Sequence, residues 1–317
     1  MRRSGVQPDG NEGKQGSFPV PLTGSGPDGT AQMLHLLVAD GNDRSGRADH
    51  VSATGVTSAE AYAEVLRQIS AGVACTLINP ADADAALPPG MTLAGFDALV
   101  LTGSALHVCD ESAAVRRQIG LVAEALGAGL PVFGSCWGVQ VAAVVAGGHA
   151  ARNPKGPEYG FSRDLVRTEA GRAHPLLAGR DERFDAPAMH LDAVITPPAH
   201  ATVLAGNGVL SVQAIEIRHG AGVFWGTQYH PELDLDALAA MLRLSADDVV
   251  EAGALPDHAA VEAYAADLCR IHADPEGQRD LIARHRLGAE LLEPARRRAE
   301  IGNFLDRLVR PRVEAAA

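Results

Sequence analysis

A chain of 317 residues, 46% hydrophobic and 21% charged, has the length of about two domains and the composition of an ordinary folded globular protein. Its 27 Lys+Arg against 39 Asp+Glu leave a net charge of −12, which excludes the basic footprint of a nucleic-acid binder. No apolar run reaches the ~18 residues of a membrane span, and Met1-Arg2-Arg3 leads into no apolar stretch, so a cytoplasmic protein with neither a membrane nor a nucleic-acid partner is expected.

Residues 1–31 are rich in Gly, Ser, Pro and Asp and hold too little apolar surface to offset ordering entropy; a disordered N-terminal arm is expected there. From 32 to 236 strand and helix patterns alternate. Leu34 to Ala39 reads as a buried strand ended by Asp40-Gly41-Asn42-Asp43, and 58–70 as a helix with Ser58 at its N-cap. Strands follow at 72–78, 96–103 and 130–134, with helices at 113–128 and 139–146. This alternation predicts an α/β fold with a mostly parallel central sheet and helices on both faces. From about 164 to 228 strands dominate, at 165–166, 193–195, 202–205, 213–217 and 223–228, and are expected to be partly antiparallel. Residues 237–317 form a helical C-terminal extension, with patterns at 235–244, 258–272 and 275–308, read as a small helical subdomain or a homo-oligomer contact. It lacks the sustained heptads of a coiled coil.

Two motifs carry chemistry. Gly134-Ser135-Cys136-Trp137-Gly138 follows a strand and opens a helix, the strained turn that lifts a nucleophile above a sheet edge. Bulkier residues two positions either side would clash, and the helix N-terminus favours a thiolate. The second motif, Gln228-Tyr229-His230-Pro231-Glu232, follows a strong strand pattern; in extended backbone His230 and Glu232 point the same way. A thiol nucleophile needs a base, and the base needs a group that fixes its tautomer. Cys136, His230 and Glu232 supply that set.

Together these segments resemble the class I (triad) glutamine amidotransferases, most of all the amidotransferase domain of GMP synthase. The run from Pro131 to Gln140, the Gly147-Gly148 pair, Leu101-Thr102-Gly103-Ser104, His190-Leu191-Asp192 and the final Gln228–Glu232 segment agree in order and spacing over roughly residues 33–236. The resemblance implies a flavodoxin-like fold and hydrolysis of the L-glutamine side-chain amide through a γ-glutamyl thioester, with ammonia passed to a separate synthetase. It needs no cofactor and no metal. The implied oxyanion donors lie at Trp137 and around Gly103 and Ser104; Gln140, Met189 and His190 are implied to hold the substrate.

The chain also departs from the pattern. Gly103-Ser104-Ala105-Leu106 is poorer in Gly and Pro than the usual oxyanion loop, and Ser suits a positive φ less well than Gly. Trp137 is bulkier than usual at its position and is expected to narrow or reshape the pocket. Leu191 stands where the family has glycine, and the ATP-pyrophosphatase domain is absent. A second reading follows, a γ-glutamyl hydrolase or peptidase acting on other γ-glutamyl amides; a third is a non-catalytic scaffold on the same fold. The other histidines are dispersed without metal-ligand spacing. Cys75, Cys109 and Cys269 read as structural, and Arg296-Arg297-Arg298 as a solvated helix face.

Overall fold

A computed structural model describes residues 32–316, so the arm expected at 1–31 lies outside the described residues. In chain order the elements are β1 (Leu34–Ala39), α1 (Arg44–Thr54), α2 (Ser58–Ile69), β2 (Val73–Ile78), β3 (Ala98–Leu101), α3 (Ala113–Gly127), β4 (Val132–Ser135), α4 (Trp137–Val145), β5 (His149–Arg152), β6 (Glu158–Arg167), α5 (Glu169–Ala173), β7 (Arg183–His190), β8 (Asp192–Thr196), β9 (Ala201–Gly206), β10 (Ala214–His219) and β11 (Gly222–Thr227). The chain ends in helices α6 (Leu235–Leu244), α7 (Ala246–Glu251), α8 (His258–Ala273), α9 (Arg279–His285), α10 (Ala289–Leu292), α11 (Pro294–Arg297), α12 (Ala299–Phe304) and α13 (Arg310–Ala316).

Side chains of β3, β4 and β11 are buried along their whole length, as strands covered on both faces must be. They lie in a nine-stranded sheet of order β2-β1-β3-β4-β11-β10-β9-β6-β7. The first five strands run parallel and the rest join antiparallel; β5 and β8 form a separate antiparallel pair. The sheet thus has the mixed character that the sequence pattern predicts. Alternate residues of β1 go to opposite cores: Leu36 and Val38 with Tyr62 and Leu66 of α2, Leu37 and Ala39 with Val122 of α3 and Val141 of α4.

The extension is not peripheral to this packing. Ile301, Phe304, Leu305 and Val309 complete the core on the α2 face, and the Phe304 ring lies 5.3 Å from that of Phe133 on β4. The expected helix 275–308 is broken into short segments, the last of them continuing through a π-turn at Leu305–Val309 into α13. Helix α1 was not legible in sequence, because it is polar around most of its surface and buries only Arg47 and His50. The cap of α2 is Thr57, one residue before the expected Ser58, in a reciprocal box with Glu60. No described helix is long and apolar enough to cross a membrane.

Candidate active site

Register places the site. Leu101 of β3 pairs with Gly134 of β4, and Ser135 of β4 with Thr227 of β11. The carboxyl ends of these three neighbouring parallel strands therefore deliver Gly103, Cys136 and His230 to one edge, where open α/β sheets hold their ligands.

Cys136 sits between β4 and α4 with φ 49° and ψ −96°, a conformation that costs a non-glycine residue about 1–3 kcal/mol. The flanking glycines allow it. A Cβ on Gly134 would lie 2.7 Å from the Cα of Gly138, and one on Gly138 would lie 3.0 Å from the Leu101 carbonyl oxygen. Cys136 N–H donates to the Thr227 carbonyl at 2.8 Å, fastening the turn to β11. Around the sulfur stand the Met189 carbonyl at 3.8 Å and the Gln228 Nε2 donor at 3.5 Å.

His230 Nδ1 lies 2.7 Å from Glu232 Oε1; the two meet as expected, but across a turn closed by Leu233 N–H to the His230 carbonyl at 3.2 Å rather than along extended backbone, since β11 ends at Thr227. Burial pushes the imidazole pKa down. The Glu232 charge, the hydrogen bond with Cys136 and the Cys136 charge outweigh it and raise the value to about 10. The Glu232 carboxylate thus favours the protonated form of His230.

A second line of support lies behind Glu232. Ser135 Oγ donates to Glu232 Oε2 at 2.8 Å, and Tyr62 Oη lies 3.1 Å from Ser135 Oγ. Ser135 has one hydroxyl hydrogen, spent on the carboxylate, so Tyr62 must be the donor to Ser135. Burial, then the Glu232 charge, hold the Tyr62 phenol well above its ordinary range, so it stays protonated to donate. Ser135 is inside the nucleophile motif, but nothing in the sequence pairs Tyr62 with it.

The oxyanion loop is pinned from several sides. Gly41 N–H donates to Thr102 Oγ1 at 2.9 Å, Thr102 Oγ1 donates to the Gly103 carbonyl at 2.9 Å, and Ala105 N–H donates to Asn42 Oδ1 at 2.9 Å. A Cβ on Gly103 would approach His230 Cε1 to 2.9 Å, so glycine is needed for the loop to press against the base. Ser104 is not among the residues of positive φ, so this loop does not demand the conformation for which Ser is ill suited. At the start of α4 no side chain caps the Trp137 end, leaving backbone donors beside Cys136.

Three residues turn their side chains elsewhere. The Trp137 indole does not narrow the pocket: it is buried in the core and donates from Nε1 to Gln118 Oε1 at 2.8 Å. Gln118 Nε2 in turn donates to the Gly41 carbonyl at 2.8 Å, so Trp137 braces the oxyanion loop from behind. Gln140 is buried and donates to the Asp192 carbonyl at 2.9 Å. The His190 ring is buried against Glu158 at 3.1 Å. Only the backbones of Trp137 and His190 remain for the roles expected of them.

A cavity of about 600 Å³ opens over Cys136, Gly103, Ser104, Met189, His230 and Glu232. Its far wall comes from the extension, through Met241, Leu244 and Asp248 of α6 and α7 and through Arg298. Of the Arg296–Arg298 run only Arg296 is solvated as expected: Arg297 is 3% exposed and Arg298 lines the cavity. Cys109, read as structural, is exposed in a short turn, whereas Cys75 and Cys269 are half-buried against the cores. Among the described residues no His, Cys, Asp and Glu cluster is placed to hold a metal ion.

Comparison with known proteins adds four findings. Residues 58–248 match the family model for glutamine amidotransferase class-I. The chain is 33% identical over 285 residues, 88% of its own length and 95% of the other's, to a gamma-glutamyl-L-1-hydroxyisopropylamide hydrolase from a Pseudomonas species. Against a glutamine-hydrolysing GMP synthase subunit from Methanoculleus marisnigri it is 30% identical over 146 residues, 46% of this chain and 71% of that one. In fold it is similar to a crystal structure of a glutamine amidotransferase from Thermotoga maritima, with a TM-score of 0.55 at 16% identity, covering 81% of this chain and 100% of that one.

Proposed function

The chain belongs to the class I glutamine amidotransferase family, enzymes with a cysteine nucleophile, and from that premise we propose that it hydrolyses substituted γ-glutamyl amides through Cys136, His230 and Glu232. Cys136 sulfur attacks the γ-carbonyl carbon. The C–N bond breaks as His230 gives its proton to the departing amine, and a γ-glutamyl thioester remains. Water, losing a proton to His230, cleaves the thioester, frees glutamate and restores the thiol. Backbone N–H groups at Trp137 and around Gly103 receive the oxyanion, and Met189 and His190 backbone groups hold the amino-acid end of the substrate. Glu232, carrying Ser135 on its other oxygen, orients His230.

The observation that carries this reading is the cavity. Its 600 Å³ extends past the sulfur to a wall built by the C-terminal helices, with room for a substituent on the amide nitrogen. The hydrolase relative matches along that extension as well, whereas the GMP synthase relative matches less than half of the chain. The latter match favours the second reading, a glutaminase that passes ammonia to a separate synthetase.

The test is glutamate release by the purified chain from L-glutamine and from N-alkyl γ-glutamyl amides. A higher kcat/KM on the substituted amides is expected. Faster release from glutamine would replace this reading with the glutaminase one, and silence on every γ-glutamyl compound would remove both.

The pH profile gives a second check. With His230 raised to about 10, the leaving-group acid stays protonated through neutral pH, and the alkaline limb of kcat/KM falls only as pH approaches that value. Glu232→Gln removes the carboxylate that raises it and leaves burial, which lowers it, so the limb moves to lower pH. Ser135→Ala removes one hydrogen bond to a carboxylate and is expected to lower kcat roughly 10–100-fold with KM little changed. Ser135→Thr is expected to recover part of the loss.

A further inference from the structure

A second cavity, of about 490 Å³, adjoins the first and shares Gln68, Asp234 and Arg298 with it. Arg297, Arg298 and His272 bring nitrogen donors to its wall, and Asp234 is its one carboxylate. That carboxylate already caps α6, accepting from Ala237 N–H at 2.9 Å. Among the described residues neither Arg297 nor Arg298 forms an ion pair, and the Nε of each is buried without a partner. Arg297 makes one hydrogen bond, Nη1 to the Leu291 carbonyl at 2.9 Å; Arg298 makes one, Nη1 to Gln68 Oε1 at 2.8 Å. A buried guanidinium without a carboxylate is costly, and buried charges in proteins are otherwise paired. Burial, then the neighbouring Arg298 charge, lower the Arg297 pKa to about 10 against the opposing pull of Asp234.

The usual partners are committed elsewhere. Glu300 is taken by Arg180 and Glu293 by Arg296. The Arg180 guanidinium, itself paired with Glu300, donates to the Arg297 carbonyl oxygen and holds this turn in place. The pocket therefore presents two arginines against the single carboxylate of Asp234, an excess of positive charge, and has room for several non-hydrogen atoms.

We propose that this pocket binds a small oxyanion, a phosphate or carboxylate group, held by guanidinium Nη groups of Arg297 and Arg298, which line its wall. Nothing in this proposal depends on which amide the triad cleaves. Arg298 walls both cavities, so a bound anion sits one side chain away from the nucleophile cavity.

The test uses the full-length Cys136→Ala chain, so that turnover does not intervene. Thermal unfolding and titration calorimetry are run with inorganic phosphate, with succinate, and with potassium chloride at matched ionic strength. Saturable binding and a rise in Tm with phosphate or succinate, absent with chloride, are expected. Phosphate alone would identify a phosphate group, succinate alone a carboxylate, and both a general oxyanion site. Arg298→Gln, a half-buried position on the cavity wall, is expected to weaken binding ~10–100-fold, with partial recovery in Arg298→Lys. Arg297→Gln is expected to do the same, and Arg298→Gln carries the test alone if that variant fails to fold. No saturable binding above the chloride control, or binding unchanged in the Arg298→Gln chain, overturns the proposal.

Discussion

Cys136→Ala is expected to lower glutamate release from any γ-glutamyl amide by ~10⁴–10⁶-fold, with the fold and Tm almost unchanged. The size follows from the chemistry: without the sulfur there is no thioester, and only the oxyanion donors and binding contacts remain to assist water. His230→Ala is expected to cost nearly as much. The double variant should be no worse than either single one, because the two groups act as a unit around one proton. Steady-state release with a coupled glutamate assay measures all three. A Cys136→Ala chain that keeps more than about 1% of activity would show that another residue attacks the substrate.

Glu300→Ala is expected to destabilise the protein by about 3–5 kcal/mol, a large part of the about 5–15 kcal/mol that holds a domain folded. Glu300 is fully buried and takes two hydrogen bonds from Arg180, Nε and Nη2, at 2.7 Å each. Tyr229 Oη donates to it as well, also at 2.7 Å. Burial opposes the charge on Arg180, yet Glu300 keeps that guanidinium above its ordinary value. Removing the carboxylate strands a buried cation and a buried hydroxyl together. Urea unfolding measures the loss, with Glu293→Ala as a surface control expected to fall within about 0.5 kcal/mol of the parent. Because Tyr229 lies between Gln228 and His230, the same contact ties the extension to the segment carrying the base. A loss below about 1 kcal/mol would mean that this network contributes no more than a surface ion pair.

Legibility in the sequence followed the range of the interaction. The elbow was readable because its constraint spans five residues: a Cβ at Gly134 meets Gly138 itself. His230 and Glu232 were readable as a pair because they are two residues apart, although a turn after β11, not strand alternation, brings them together. The parallel strands announced themselves as short apolar runs, and every strand that delivers a candidate catalytic residue was among them. The last two strands of the sheet, β6 and the edge strand β7, were missed or seen only in part, since Gly160, Pro187 and charged residues interrupt their pattern.

What the sequence determined by itself is which groups are candidates to react and the local backbone that presents them, because steric limits on φ and ψ act between near neighbours. The tertiary structure alone decided which distant groups surround them. Sheet order brought β4 beside β11 and so Cys136 beside His230. Packing of α2 put Tyr62 behind Ser135 and Glu232. The Trp137 indole went to the core because Gln118 offered its N–H a buried acceptor. The C-terminal helices became a cavity wall because Phe304 and its neighbours fill the face that α2 leaves open, carrying Arg297 and Arg298 in with them. Such contacts depend on which apolar faces remain uncovered once the sheet has formed, and no local pattern encodes that.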